Sequence, residues 1–495
     1  MSEARSHDIT VAVRSAFVLG GSLLLTWSVA LLVRLILPRT LGPDVFGSYN
    51  FADGLALTAF GFLNLGLDTY IQREISIRPE HASDFFGGIT SIRVALTFMV
   101  FAVMAAVLRA RGSGPDVWGA AFLFGVAQSF TQTGNSLAAM LQASRRVRGL
   151  AIGNVGSKVL WGVGTLVGLA LHGDLRVLAF PMVLGEGTRV IVLFLQARKH
   201  LGLSLRMDVA STKRTLIESL PFYANGIALS IYAKIDVSIM AFMASDHEVG
   251  LYGAAANFSS LAMLVAPLIG WVLMPLLSRA AARSPEELTE MLRRSLEGVL
   301  SLAIPVSLFM GVGADIWIRL AFGARFAASA PALAILSPMF ILTYLAMLQA
   351  TYLNLLGRGW TVTGVSILGM CVNPAANVLL VPYCLRTFGE GGAGIGASIA
   401  MIVTEVASIL AFYMYIGRLA FDRRNVKVIA LQLGAALLVI PVHVALRFLG
   451  PARLGVDALL YMVLVVVSGA VKPQDALGVV RTAIRNRGAA VATTT

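Results

Sequence analysis

From residue 11 to residue 471 the sequence is a succession of apolar runs, most of them more than 20 residues long, broken by short polar segments. A helix needs about 20 mostly apolar residues to cross a bilayer. The runs are too long and too continuous for barrel strands, which alternate over about 10 residues. In hydrocarbon every backbone polar group must be satisfied within the spanning element, so helices are the remaining solution. Fourteen candidate spans follow, at approximately 11–37, 46–68, 86–108, 117–140, 150–171, 176–197, 216–243, 249–277, 296–320, 330–356, 360–384, 393–417, 427–447 and 455–471. Composition agrees, with 57% hydrophobic and 13% charged residues, against about 25% charged in soluble domains. The expected fold is all-α and polytopic.

Lys and Arg in the polar breaks orient the chain, because cytoplasmic loops carry their excess. With the N-terminus inside, the inner segments hold 24 Lys and Arg and the outer segments 9. Both termini are therefore expected in the cytoplasm. The first apolar run has no small-residue cleavage site and reads as an anchor. The net charge of +13 is then a topology signal with attraction to anionic lipids, and gives no reason to expect nucleic acid.

Gly47 and Tyr49 recur as Gly250 and Tyr252, each pair opening an even-numbered span after a short outer loop. Six spans separate the copies, so both face the same way, as in parallel repeats related by an axis along the membrane normal. The organisation expected is two six-helix lobes, 1–205 and 206–420, around a central cavity, then two further spans over 421–475 and a cytoplasmic tail over 476–495. Ser284, Pro285 and Glu287 supply a capping box, read as opening a short amphipathic helix on the inner surface. Gly164 and Gly168 are spaced for close helix contact.

Covalent and nucleotide-driven chemistry finds no machinery. There is no Gly-x-x-x-x-Gly-Lys-[Ser/Thr] loop for ATP, no metal-ligand spacing among the six His, and no implied cofactor. Cys371 and Cys384 lie roughly 20 Å apart along one helix, too far for a disulfide. What remains is charge inside spans, each costing at least about 2.5 to 3.5 kcal/mol at mid-helix, where function is the default reading.

Arg14 and Arg34 lie near the ends of span 1, where snorkelling is as good an explanation. Asp68 sits at a span end and is expected to be solvated. Asp53, Arg93 and Lys158 lie roughly 10 Å inside their spans by helical rise, and Glu186, Arg189, Lys234, Asp236 and Glu405 lie deeper. Glu186 and Arg189, three apart, can pair on one face. Lys234 and Asp236, two apart, need partners elsewhere. Arg34, Arg93, Lys158, Arg189 and Lys234 are the candidate substrate-binding residues, and Asp53, Glu186, Asp236 and Glu405 the candidate ion-coupling acids. A cation-rich interior suits a large anion such as a phosphate-bearing lipid, and a desolvated carboxylate suits proton uptake.

The stretches LPRTLGPDVFGSYNFADGL, IYAKIDVSIMAFMASDHEVGLYGAAANF and NPAANVLLVPYCLRTFGEGGAGIGASIAMIVTE resemble the Wzx-type oligosaccharide and polysaccharide flippases of the multidrug/oligosaccharidyl-lipid/polysaccharide superfamily. The resemblance implies alternating access by two lobes forming a V-shaped cavity. The cargo implied is an undecaprenyl-diphosphate-linked oligosaccharide, moved from the cytoplasmic to the periplasmic leaflet of the inner membrane. It also implies coupling to protons or sodium ions, and work beside a polymerase or ligase in making O-antigen, capsule or exopolysaccharide. By position, Lys234 and Asp236 match the family's charged pair in span 7, and Arg34 its basic residue before the first outer loop. The alternatives are a multidrug cation antiporter of the same superfamily, which would want an acid-lined pocket, and an integral membrane polymerase, which would want a large outer loop.

Overall fold

The computed structural model describes residues 2–68, 70–71, 82–144, 147–204, 208–261, 266–417 and 423–470, with backbone alone over several helical stretches including 2–20 and 228–234. The expected tail at 476–495 lies outside the described residues, as do the basic residues Arg73, Arg78, Arg145, Arg146, Arg206 and Arg418. Among the described residues all regular structure is helical, and nine helices are long and apolar enough to cross a membrane, from Phe86–Arg111 to Arg447–Val467.

Helices α1 (Ser2–Gly61), α2 (Ala82–Arg111), α3 (Pro115–Ala143), α4 (Val147–Ala170), α5 (Leu175–Leu201), α6 (Val209–Met243) and α7 (Asp246–Ser259) precede α8 (Ala266–Arg283) and α9 (Pro285–Val312). Then come α10 (Ala314–Phe322), α11 (Ala330–Leu336), α12 (Met339–Leu355), α13 (Gly359–Phe388), α14 (Gly392–Ile416), α15 (Arg423–Ala445) and α16 (Arg453–Val467). Expected spans 1 and 2 are the two arms of α1. They are broken at Gly42, whose φ of 78° and ψ of 170° no ordinary L-residue adopts without strain.

The amphipathic segment after Ser284 is not a separate surface helix, as its sequence suggested. Ser284 caps α9, its Oγ accepting from Glu287 N at 3.1 Å, and the helix then runs unbroken from Pro285 to Val312. Between Ser295 and Pro305 nothing stops it, because apolar residues take over as the charged face ends. Pro305 lies within the helix, as membrane helices tolerate.

The chain forms two compact units. The first holds residues 1–257, 321–329 and 363–400. In it α3 and α4 flank α5, α4 packs on α1, and α1 packs on α6. Asp174 starts α5 by accepting from Arg176 N and Val177 N, Arg198, Lys199 and His200 crowd its last turn, and Gly202 ends it in the left-handed region. Opposite charge at each end complements the helix dipole. Gly164 and Gly168 do face α5: an added Cβ would come within 2.7 Å of Pro181 and 3.2 Å of Leu178 respectively.

The second unit holds residues 258–320, 330–362 and 401–495. Its centre is α9, against which α8, α12 and α15 pack, with α16 on α15. Leu300, Ile304 and Leu308 of α9 meet Val439, Tyr461 and Val465 in its core.

Candidate substrate and ion site

The polar interior of the first unit starts from α4. Ile152, Leu160, Val163 and Val167 form its exposed apolar stripe. At 3.6 residues per turn, Asn154, Lys158, Trp161 and Thr165 lie on the other side. On α5, Phe180, Leu184, Ile191 and Leu195 are exposed, and Glu186 and Arg189 lie opposite them. Each helix therefore turns its apolar face outward and its charges inward, as a membrane bundle requires.

Small residues bring the two polar faces together. A Cβ on Gly185 would come within 2.6 Å of the Ser157 carbonyl oxygen. Across this contact Glu186, 4% exposed, takes a hydrogen bond from Ser157 Oγ at 3.3 Å. Its Oε1 lies 3.6 Å from Lys158 Nζ and its Oε2 3.1 Å from Arg189. The Arg189 guanidinium also donates to Asn154 Oδ1 at 2.9 Å and Asn135 Oδ1 at 3.0 Å. One carboxylate thus serves two cations. Lys158, its side chain 38% exposed and its ammonium 5.3 Å from the Trp161 ring, is the open corner of the cluster. The pairing expected of Glu186 and Arg189 is present, and Lys158 joins it.

Arg93 sits differently. It is 5% exposed, and its donors reach Leu63 O, Asn64 O, Gln132 O and Ser136 Oγ at 2.8 to 3.0 Å. Two of these carbonyls belong to the 3₁₀ turn Phe62–Asn64 that follows α1. The guanidinium therefore satisfies acceptors that a helix end leaves orphaned. Asp68, expected to be solvated, instead accepts from Asn64 Nδ2 at 2.9 Å and Ser136 Oγ at 3.3 Å.

Arg34 is exposed although it lies opposite the outward stripe of Leu25, Leu32 and Ile36. It lies within electrostatic reach of Asp53 on the other arm of α1, so Asp53 has a basic neighbour in its own unit. Asp236, 6% exposed, accepts from the Tyr252 hydroxyl and from Val237 N. Lys234 lies on α6, with its side chain outside the described residues. Glu405 belongs to the second unit, buried on α14.

The sequence reading missed the uncharged partners. Asn135 of α3 and Asn154 and Ser157 of α4 orient the charged cluster, and the signal for the last two was the polar stripe running along α4. It missed Glu248 too, a buried acid that accepts from Gly391 N at 2.7 Å and Ala393 N at 3.0 Å and so caps α14. No local pattern joins residues 143 apart, so nothing in the sequence announced that bond.

Chemically, Lys158, Glu186 and Arg189 carry one surplus positive charge while the acid is ionised and two once it is protonated.

The family described as "Polysaccharide biosynthesis protein" matches residues 12–281. No curated protein matches the chain. Among solved structures, a lipid II flippase, MurJ, in an inward closed conformation superposes with a TM-score of 0.72 at 12% identity, covering 94% of this chain and 100% of its own. An inward-facing multidrug resistance transporter of the MATE family in the MOP superfamily gives 0.61 at 16% identity, covering 79% and 99%. The Vibrio cholerae MATE transporter VcmN, in its bent form, gives 0.53 at 14%, covering 83% and 100%. At these identities the likeness is one of fold.

Proposed function

Because the chain belongs to the polysaccharide biosynthesis protein family of the multidrug/oligosaccharidyl-lipid/polysaccharide superfamily, as an integral multi-pass transporter of flippase type, we propose that it flips undecaprenyl-diphosphate-linked oligosaccharide repeat units. The units pass from the cytoplasmic to the periplasmic leaflet of the inner membrane, for O-antigen, capsule or exopolysaccharide assembly. Both termini lie in the cytoplasm in this reading. A polymerase or ligase takes the delivered unit, and anionic lipids surround the basic inner surface.

The observation that carries the proposal is the Lys158–Glu186–Arg189 cluster, with its surplus cation on the polar side of α4. A diphosphate offers several anionic oxygens to the half-exposed ammonium and to Arg189, and charge-assisted bonds of that kind are about twice as strong as neutral ones. Arg34, also basic and exposed, adds a second contact, and Lys234 a third. Arg93 contributes by holding the end of α1 in place. Coupling falls to Glu186, which loses its cation partners to the arriving phosphate and takes a proton or sodium ion in exchange. Asp53, beside Arg34, works in the same way, with Asp236 and Glu405 as further coupling acids.

The antiporter reading is weaker, because an organic cation would meet the ammonium of Lys158 rather than an open carboxylate. Deletion of the gene tests the proposal. Finished lipid-linked repeat units should accumulate on the cytoplasmic leaflet, whereas single unpolymerised units displayed outside would overturn it in favour of polymerisation.

A further inference from the structure

Three separate segments of the first unit meet on one imidazole, and the flippase reading uses none of them. His247, in the first turn of α7, has its Nδ1 3.2 Å from Asp44 of α1 and its Nε2 3.1 Å from Glu390, between α13 and α14. Asp44 stands 203 positions before His247, the spacing that also separates Gly47 from Gly250. The two copies of the repeated hairpin therefore present an acid and a base at equivalent positions, and these two residues face each other. Neither acid has another ion pair among the described residues. Both acids sit beside bends: Asp44 follows Gly42, with a φ of 78°, and Glu390 lies between Gly389 and Gly391, at 69° and 80°.

Hydrogen-bond capacity decides the protonation state. An ionised carboxylate only accepts, a neutral imidazole has one donor and one lone pair, and an imidazolium has two donors. Both contacts are hydrogen bonds only when both ring nitrogens carry a proton. In the neutral ring one lone pair faces a carboxylate, and one of the two acids loses its bond. The other charged groups at this end have partners of their own. Asp246 pairs with Arg111 and takes a bond from Ser48, Glu248 accepts from Gly391 N and Ala393 N, and Arg325 donates to the Arg39 carbonyl. The charges acting on the ring are those of Asp44 and Glu390, and not those of Arg39 or Arg386, the remaining basic residues of the three segments. Burial lowers the proton affinity of the ring, and the hydrogen bonds and charges of the two acids together raise it further than burial lowers it.

We infer that His247 is a pH-operated clasp: its imidazolium ties the bend of α1 and the α13–α14 connection to the start of α7, and loss of one ring proton frees one of them. The ring is 32% exposed, so it exchanges its proton with solvent, on the side that the proposed orientation places outside the cell. The clasp stands independently of what the Lys158 cluster binds.

The test is amide hydrogen exchange of the purified full-length protein in lipid nanodiscs, about one pH unit below and about two above the ordinary histidine value, corrected for the intrinsic pH dependence of exchange. In wild type, protection at 38–46 or at 386–393 should fall at the higher pH by up to about fivefold, the worth of an exposed ion pair. The buried segment 120–141 of α3 should not change. His247→Gln should show the low protection at both pH values. Glu390→Gln gives the neutral ring an amide N–H to accept from, so it should show the high protection at both. Equal wild-type protection at the two pH values would overturn the inference, as would His247→Gln or Glu390→Gln keeping the wild-type difference. An equal change at 120–141 would overturn it too, because the proton would then act on the whole fold rather than on the clasp.

Discussion

Gly47 and Gly250 lock together: a Cβ on Gly47 would overlap the Asp246 carbonyl oxygen, and a Cβ on Gly250 would overlap that of Pro43. The two copies of the repeated Gly-x-Tyr thus pack on each other. Ser48 strengthens the junction by donating to Asp246 at 2.6 Å, and Arg111 pairs with the same carboxylate. The tyrosines have separate tasks, Tyr49 meeting Phe124 edge to face at 5.1 Å and Tyr252 donating to Asp236.

Gly47→Ala or Gly250→Ala should therefore destabilise the protein. Overpacking costs typically about 1 to 3 kcal/mol, with more expected where the obstacle is backbone. Thermal unfolding of the purified protein measures it. Gly298→Ala is the control, since a Cβ there meets nothing within 4 Å and alanine is the better helix former.

Arg93→Met should leave the Leu63, Asn64 and Gln132 carbonyls without their donor. Each buried group left unsatisfied costs about 1 to 3 kcal/mol. The expected outcome is loss of folded protein, read by size-exclusion elution. A folded and fully active Arg93→Met would remove Arg93 from its place holding the end of α1.

Glu186→Gln should keep a partner for Arg189 while fixing the cluster charge at its protonated value. Export measured against external pH should then flatten relative to wild type. A pH profile that keeps its shape would exclude Glu186 as the coupling acid.

His247 gives a pH dependence of known sign. Its Nδ1 lies 3.2 Å from Asp44 and its Nε2 3.1 Å from Glu390. Burial lowers its pKa, but the hydrogen bonds and charges of the two acids outweigh it and raise the value above 6.5. A raised histidine contributes stability that is fully present below its unfolded value, about 6.5, and is lost as pH rises through the folded value. The effect is modest because both acids are exposed. Unfolding temperatures of wild type should fall across that window, and His247→Gln should lack that component.

The helical membrane fold was legible in the apolar runs, and so was the Glu186–Arg189 pair, because both depend on spacing along one helix. What was hidden depends on contacts between helices. Arg93 reads in sequence as a buried cation in need of a ligand, and only the turn after α1 shows that backbone carbonyls fill that role. Asp236 reads as a coupling acid, and only α7 supplies its tyrosine. The amphipathic start of α9 reads as a surface helix because charge pattern reports the solvent side of each residue and not whether the helix ends.

The central claim is that Lys158 and Arg189 hold the anionic head of a lipid-linked sugar. The double variant Lys158→Gln, Arg189→Gln should, at normal membrane abundance, leave lipid-linked repeat units on the cytoplasmic leaflet, read by leaflet-selective labelling of the sugar. Wild-type levels of labelled sugar on the outer leaflet would contradict it.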